Sequence, residues 1–260
     1  MKYCMSGRQP YSVLKKADQV KVDWVDRDRI LDFIEKIPEV SVILDIPRDA
    51  DLTDRDWRTL EMYNDKLDFY VCIHNLFLAN IFKQMNLRFY WPYPIVSYYE
   101  LQGILALEPA YVLLGPPLSF DLKTIQSITK VPVRLIANTS YDPYIPRENG
   151  ICGQWIRPED VPLYDEYVEV LEFVDANLTK EATLLHIYKE NGNWPGNLNL
   201  LFDNFNINVD NRAIPEDLGE RRLNCRQRCM SGGSCRKCSS AIHFADLIKK
   251  KHEEQVMNKQ

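Results

Sequence analysis

The chain has 260 residues and a formal net charge of −5, and 45% of its residues are hydrophobic. These values are typical of an ordinary globular protein that forms one large domain, or one domain with a small appendage. No apolar run reaches the roughly eighteen residues of a membrane span, and the first residues lack the apolar stretch of a signal peptide. We therefore expect no membrane association and a cytoplasmic location.

Short apolar segments typical of β-strands alternate with amphipathic segments typical of helices along the first 190 residues. The predicted strands are 2–6, 20–24, 41–46, 69–74, 88–91, 111–115, 133–137 and 168–173. The predicted helices are 27–37, 54–66, 76–85, 98–107, 121–129, 158–166 and 180–190. This alternation predicts an α/β fold, a (β/α)8 TIM-like barrel, with an open doubly wound sheet as the alternative.

We expect two domains, with the barrel in residues 1–190 and a C-terminal extension in residues 191–260. The extension begins with an asparagine-rich segment, 191–220, whose composition predicts irregular structure. A cysteine-rich loop and a closing helix at about 240–254 are predicted to follow it.

Four of the seven cysteines lie within fourteen residues of the extension. They are Cys225, Cys229, Cys235 and Cys238, with two glycines at the centre of the run. Four thiolates on so short a loop predict a metal site, either tetrahedral zinc or a 4Fe–4S cluster. Zinc held by four thiolates would have a structural role, whereas an iron–sulfur cluster would permit redox chemistry. A pair of disulfides is the alternative, and it suits a reducing cytoplasm less well.

The same region is basic, with nine Lys or Arg and one Asp between residues 221 and 251. Such a tail could bind RNA through its phosphates. Alternatively, its lysines solvate the closing helix and its arginines offset the charge of an anionic metal site.

Polar residues follow several predicted strands, at the end of the barrel where the active sites of this fold lie. The candidate catalytic residues are His74, Asp45, Asn138 and Arg8. His74 could act as a general acid or base, or could simply cap its strand. Asp45 could be an acid, a base or a ligand, or could form a turn before Ile46-Pro47. Arg8 could bind an anionic group of a substrate, or could be an ordinary surface residue.

An aromatic run at 89–94, followed by Tyr98 and Tyr99, offers a second kind of interaction. These rings could stack on a planar ligand or a base. Alternatively, they fill the space between a strand and a helix.

Two segments carry a resemblance to a known family. They are Val-Arg-Leu-Ile-Ala-Asn at 133–138 and Ile-Cys-Gly-Gln-Trp-Ile-Arg-Pro-Glu-Asp-Val at 151–161. They resemble the collagenase-like peptidase family of iron–sulfur barrel proteins, in which a strand ending in Asn precedes a cysteine-bearing loop and an Ile-Arg-Pro-Glu-Asp helix start. The similarity extends over about residues 130–245. It implies an iron–sulfur barrel enzyme, hydroxylase-like or peptidase-like, that acts on RNA, a peptide or a small aromatic substrate such as a quinone precursor.

The chain departs from this family in the loop after Asn138. The family usually has cysteines there, whereas residues 139–147 contain none and only Cys152 remains before the helix. Either the four-cysteine run holds the metal alone, or Cys152 joins some of these cysteines as a cluster ligand.

The sequence therefore supports two classes of function. The first is an enzyme whose strand-end residues work near a cysteine-bound cluster. The second is a non-catalytic binding or assembly protein that keeps the barrel and uses zinc to fasten its C-terminal segment.

Overall fold

The computed structural model describes residues 1–115, 118–137, 156–173, 178–197, 200–201, 210–214, 216–223, 254 and 257. Asn138, Cys152 and the four cysteines between 225 and 238 lie outside these residues. So do the basic tail beyond residue 223 and the predicted closing helix, except for Glu254.

Eight parallel strands form a closed barrel in which each strand pairs with its neighbour in sequence. The strands are β1 Lys2–Ser6, β2 Gln19–Asp23, β3 Ser41–Ile46, β4 Phe69–Ile73, β5 Arg88–Ile95, β6 Tyr111–Leu114, β7 Val133–Ile136 and β8 Val170–Glu172. Pairing of β8 with β1, in the register Lys2 opposite Val170, closes the barrel. The predicted TIM-like fold is confirmed, and the open sheet is excluded.

Helices connect the strands along the outside of the barrel. They are α1 Tyr11–Leu14, α2 Arg29–Lys36, α3 Asp54–Lys66, α4 Ala79–Gln84, α5 Tyr98–Leu105, α6 Leu122–Ile128, α7 Val161–Tyr164 and α8 Leu178–His186, with α9 Leu218–Leu223 beyond the barrel. The short α1 was not predicted, and α7 is preceded by a 3-10 turn, Pro158–Asp160. None of the helices in the described ranges has the length and apolar character needed to span a bilayer.

Helix α3 shows how local sequence sets these elements. Thr53 precedes the helix and accepts a hydrogen bond from the Asp56 amide, while the Asp56 carboxylate accepts one from the Thr53 amide. This capping box satisfies amides that the first turn leaves unpaired. Leu60 and Tyr63 then bury the inner face of the helix.

Strand β5 runs four residues beyond its predicted end, to Ile95. Pro92 and Pro94 lie in this extension, and proline has no amide hydrogen to donate to a neighbouring strand. The pairing between β5 and β6 accordingly shifts register between Trp91 and Ile95. The extension carries Tyr93 to the carboxyl end of the barrel.

Alternate residues of each strand face either the helices or the barrel interior. On β3, Val42 and Leu44 pack in the layer between strands and helices, whereas Ile43 packs inside the barrel. The apolar cluster inside the barrel is small and rich in tyrosine and cysteine. It consists of Cys4, Ile43, Tyr70, Cys72, Tyr90, Tyr111 and Val170.

A buried polar cluster joins the C-terminal segment to the barrel. The Arg157 guanidinium donates to both carboxylate oxygens of Asp160 at 2.7 and 2.8 Å, and to Asn211 Oδ1 at 3.3 Å. Asn211 in turn donates to the Trp194 carbonyl at 2.8 Å. At Gly219, a Cβ atom would lie 2.5 Å from Asp160 Oδ1, so only glycine allows α9 to approach this closely. The Arg-Pro-Glu-Asp segment thus has a structural role, because it anchors residues beyond the barrel.

Candidate active site

Side chains from five strands meet at the carboxyl end of the barrel. Lys21 lies on β2, Asp45 on β3 and Tyr93 on β5, while His74 directly follows β4 and Glu172 ends β8. Because parallel strands end together, residues far apart in sequence become neighbours here. The side chains of Lys21, Asp45 and His74 are about one-fifth exposed, and that of Glu172 is buried.

His74 is held between two polar groups. Its Nε2 lies 2.6 Å from Asp45 Oδ1, and its Nδ1 lies 2.9 Å from the Tyr93 hydroxyl. An ionised carboxylate can only accept a hydrogen bond. In the neutral tautomer that carries its hydrogen on Nε2, the ring therefore donates to Asp45, and Nδ1 accepts from Tyr93. The ring also meets the Tyr93 ring edge-on, with the centroids 5.2 Å apart. In this tautomer the lone pair of Nδ1 faces the Tyr93 hydroxyl.

Lys21 connects this pair to the barrel interior. Its ammonium lies 3.2 Å from Asp45 Oδ2 and 3.5 Å from Glu172 Oε1. Burial by itself would lower the pKa of Lys21, but the neighbouring Tyr90, Glu172, Cys72 and Asp45 raise it, and the pKa is well above its ordinary value. Lys21 is therefore a charged group that anchors two carboxylates, and not a neutral amine available as a nucleophile.

Arg134 is the second cation inside the barrel. It is fully buried and donates to Glu172 Oε2 at 2.8 Å, to Gln19 and to the Tyr90 hydroxyl at 3.4 Å. Its guanidinium also lies 4.6 Å from the centre of the Tyr90 ring. Burial by itself would raise the pKa of Glu172, but the charges of Lys21 and Arg134 lower it below the ordinary value. Glu172 is thus ionised between two cations.

These contacts form a continuous polar chain, which we call the interior network. Its members are Asp45, Lys21, Glu172, Arg134, Gln19 and Tyr111. From Tyr111 a further hydrogen bond of 3.4 Å reaches Glu169, near the opposite end of the barrel. The interior of this fold is usually filled by branched apolar side chains, so a charged interior is unusual.

Two cysteine thiols are buried beside the network. Cys4 and Cys72 are fully buried and free. Burial raises the pKa of Cys4 to about 12 and also raises that of Cys72, so both thiols are protonated near neutral pH. Cys72 lies close to the acid–base pair, since its sulfur, an oxygen of Asp45 and a ring nitrogen of His74 all lie within 4.8 Å of one another.

The structure brings together two of the four residues chosen from the sequence as catalytic candidates. Asp45 and His74 are in direct contact, whereas Arg8 is half exposed and pairs with Asp23 at 2.5 Å and Asp26 at 3.5 Å. Asn138 lies outside the described residues, as do Cys152 and the four-cysteine run. Those assignments stay predictions.

Sequence reasoning missed Lys21, Glu172 and Arg134 as parts of the site. The sequence did contain a signal, because each of them is a charged residue within an apolar strand segment. Both faces of such a strand are covered, one by helices and the other by the barrel interior, so a charge there needs a partner. Tyr93 was noted only as a ring that could stack on a ligand or fill space. The structure gives it a polar contact with His74 instead.

Comparison with known proteins finds no matching family model and no matching curated protein. Function is therefore inferred from the residues of this chain.

Replacing Glu172 by Gln should destabilise the protein by about 3–5 kcal/mol, because it leaves buried cations without their counter-charge. Urea unfolding measures this loss. The pKa of Glu172 is lowered on folding, so its stabilisation is complete above the ordinary value of 4.5 and is lost as the pH falls through the folded value. The difference between the two proteins should therefore shrink in acid.

Glu169→Gln is the matched control. Glu169 directly precedes strand β8, which ends at Glu172, but its side chain is 38% exposed and pairs with Lys2. Its loss should cost less than about 1 kcal/mol. Equal effects of the two substitutions would contradict the assigned role of Glu172.

Proposed function

We propose that this protein is an enzyme that transfers protons to or from a small substrate at the carboxyl end of the barrel. The observation that carries the proposal is the chain of contacts from Tyr93 through His74 to Asp45. A reacting hydroxyl, a base that contacts it and a carboxylate that orients the base are the parts of an acid–base relay.

Each member of the relay has a distinct task. Tyr93 is the outermost, with 42% of its surface exposed, so its hydroxyl is the group that meets a substrate. His74 Nδ1 takes the hydroxyl proton and returns it, while Asp45 fixes the orientation of the ring and stabilises the imidazolium that forms. Lys21, in contact with the other Asp45 oxygen, keeps that carboxylate in place.

Aromatic side chains at the carboxyl end of the barrel favour a substrate with a planar or apolar part. Trp91 lies against Tyr93 with ring centroids 5.0 Å apart. Phe77 follows β4 and Tyr99 follows β5, and each is 89% exposed. Exposed rings at the same end of the barrel as the relay suit a small aromatic substrate, which they would hold by stacking while the relay acts on a polar substituent.

The cysteine run supports a second proposal, an iron–sulfur or zinc protein of the kind that the family resemblance implies. One observation favours it: the Arg157–Asp160 cluster fastens α9 to the barrel, and α9 ends at Leu223, two residues before Cys225. In sequence, the cysteine run thus begins directly after a segment that is fixed to the barrel. A 4Fe–4S cluster there would supply redox chemistry, whereas zinc would fasten the segment. Binding of RNA by the basic tail belongs to this second proposal.

Replacing His74 by Gln should abolish turnover, because it removes the base of the relay; general acid–base catalysis typically contributes 10²- to 10⁴-fold. With no substrate chosen in advance, a cell metabolite extract is incubated with each protein and followed by mass spectrometry. Metabolites that the wild-type protein converts should remain unconverted after incubation with H74Q. The variant Y93F should convert them more slowly or not at all.

His186→Gln is the matched control, since His186 is an exposed histidine on α8 that pairs with Glu190 far from the relay in sequence. This variant should behave like the wild type. Turnover that survives in H74Q would refute the relay.

Protein purified without oxygen should contain metal bound by the four-cysteine run. Visible absorption with iron and sulfide would indicate the cluster, and a colourless protein with one equivalent of zinc that depends on Cys235 and Cys238 would indicate the structural site. Replacing Cys235 and Cys238 by Ser should remove this metal. Metal-free wild-type protein with these cysteines oxidised would contradict both forms of the second proposal.

A further inference from the structure

We propose that Asp45, Cys72 and His74 bind one soft divalent cation, with zinc the best match, and that the bound ion switches off the Tyr93–His74 relay. The binding half of this proposal stands on geometry alone. The switching half rests on the proposed function.

The three donor atoms already converge on one point. One oxygen of Asp45, the Cys72 sulfur and a ring nitrogen of His74 lie within 4.8 Å of one another. Tetrahedral zinc, with bonds of about 2.0–2.3 Å, holds its donor atoms roughly 3.5 Å apart. The cluster must contract slightly, and the 2.6 Å contact of Asp45 with His74 must open by about 1 Å.

Rigid elements hold these donors. Asp45 and Cys72 face each other across β3 and β4 as register partners, and His74 comes two residues after Cys72 on the same face. A site on adjacent barrel strands is better ordered than a site on loops. The fit of the donors therefore depends on small side-chain movements and not on a change of the backbone.

Two of the donor residues also have an outer partner of the kind that metal ligands use. Lys21 holds the second Asp45 oxygen at 3.2 Å, and Tyr93 contacts the second ring nitrogen of His74 at 2.9 Å. Such partners orient the ligands and tune their affinity.

The donor set selects the ion. A thiolate and an imidazole suit zinc and similar soft or borderline cations, whereas magnesium and calcium prefer oxygen ligands alone. On binding, Cys72 gives its thiol proton to solvent, and the thiolate and the Asp45 carboxylate together balance the two charges of the ion. Since His74 and Asp45 are partly exposed, the fourth position faces the opening of the barrel and takes water.

The ion and the relay exclude each other because both use the His74 ring. A cation on Nε2 requires the ring hydrogen to lie on Nδ1, where it is donated to the Tyr93 oxygen. Nδ1 then has no lone pair with which to accept the Tyr93 proton. Metal binding thus reverses the hydrogen bond between His74 and Tyr93 and stops proton transfer.

Zinc titration of the full-length protein tests the site. Each protein is first dialysed against a chelator, and bound zinc is then counted by competition with a chromophoric zinc indicator. The wild type should bind one equivalent more than C72S and one more than H74Q, since serine and glutamine do not replace the lost donors. Because the four-cysteine run is unchanged in all of these proteins, the difference in bound zinc reports only the site formed by Asp45, Cys72 and His74.

Cys4→Ser is the matched control, because Cys4 is an equally buried thiol inside the barrel that is not one of the three donors. C4S should bind as much zinc as the wild type. Equal stoichiometry in the wild type, C4S and H74Q overturns the site. If circular dichroism shows that C72S does not fold, the wild type is compared with H74Q alone. This variant is expected to fold, because the His74 side chain is partly exposed and lies beyond the end of β4.

Tyr93→Phe tests the outer partner. It removes the oxygen that receives the Nδ1 hydrogen and should weaken zinc affinity roughly 10- to 100-fold without changing the number of sites. Unchanged affinity overturns the assigned contact.

The switch is tested separately from the site. Saturating zinc should abolish the His74-dependent turnover of the wild type and leave that of C72S unaffected. If zinc binds through Cys72 but turnover persists, the switch is overturned and the site stands. If turnover never depends on His74, the proposed function fails, and the stoichiometry still decides the site.

Discussion

The ion pairs that Glu172 makes with Lys21 and Arg134 are the interaction on which the candidate site depends. Two cations and two carboxylates, those of Glu172 and Asp45, balance one another inside the barrel. Buried charges are costly unless each has a partner, and here each is satisfied by at least one ion pair. Removing one member leaves one of the other charges uncompensated.

This balance explains the geometry at the carboxyl end of the barrel. The Lys21 ammonium binds one Asp45 oxygen, and the other Asp45 oxygen orients His74. The His74 ring in turn contacts Tyr93. The orientation of His74 is thereby set by charges deep in the barrel, beginning with Arg134 on β7. A site preorganised in this way suits the proposed acid–base function, because little rearrangement would be needed to act on a substrate.

The sequence was sufficient for the fold and for part of the site. Eight apolar segments separated by amphipathic ones predict the barrel, and strand ends predict Asp45 and His74, because these signals are local. Lys21 and Glu172 lie about 150 residues apart, and a pattern of apolar alternation does not reveal that two such residues meet. Tyr93 was placed outside a strand because the predicted strand ended at residue 91, whereas the strand continues to Ile95.

The central claim is that the interior network serves the site and not the stability of the fold. Its most direct test is the unfolding free energy, from urea titration, of a variant that combines Gln19→Leu, Lys21→Met, Asp45→Leu, Arg134→Met and Glu172→Leu. Replacing a whole buried charge network by apolar residues of similar size is often neutral or stabilising by about 1–4 kcal/mol. We predict a variant at least as stable as the wild type. A loss of several kcal/mol would contradict the claim and make the network a structural core.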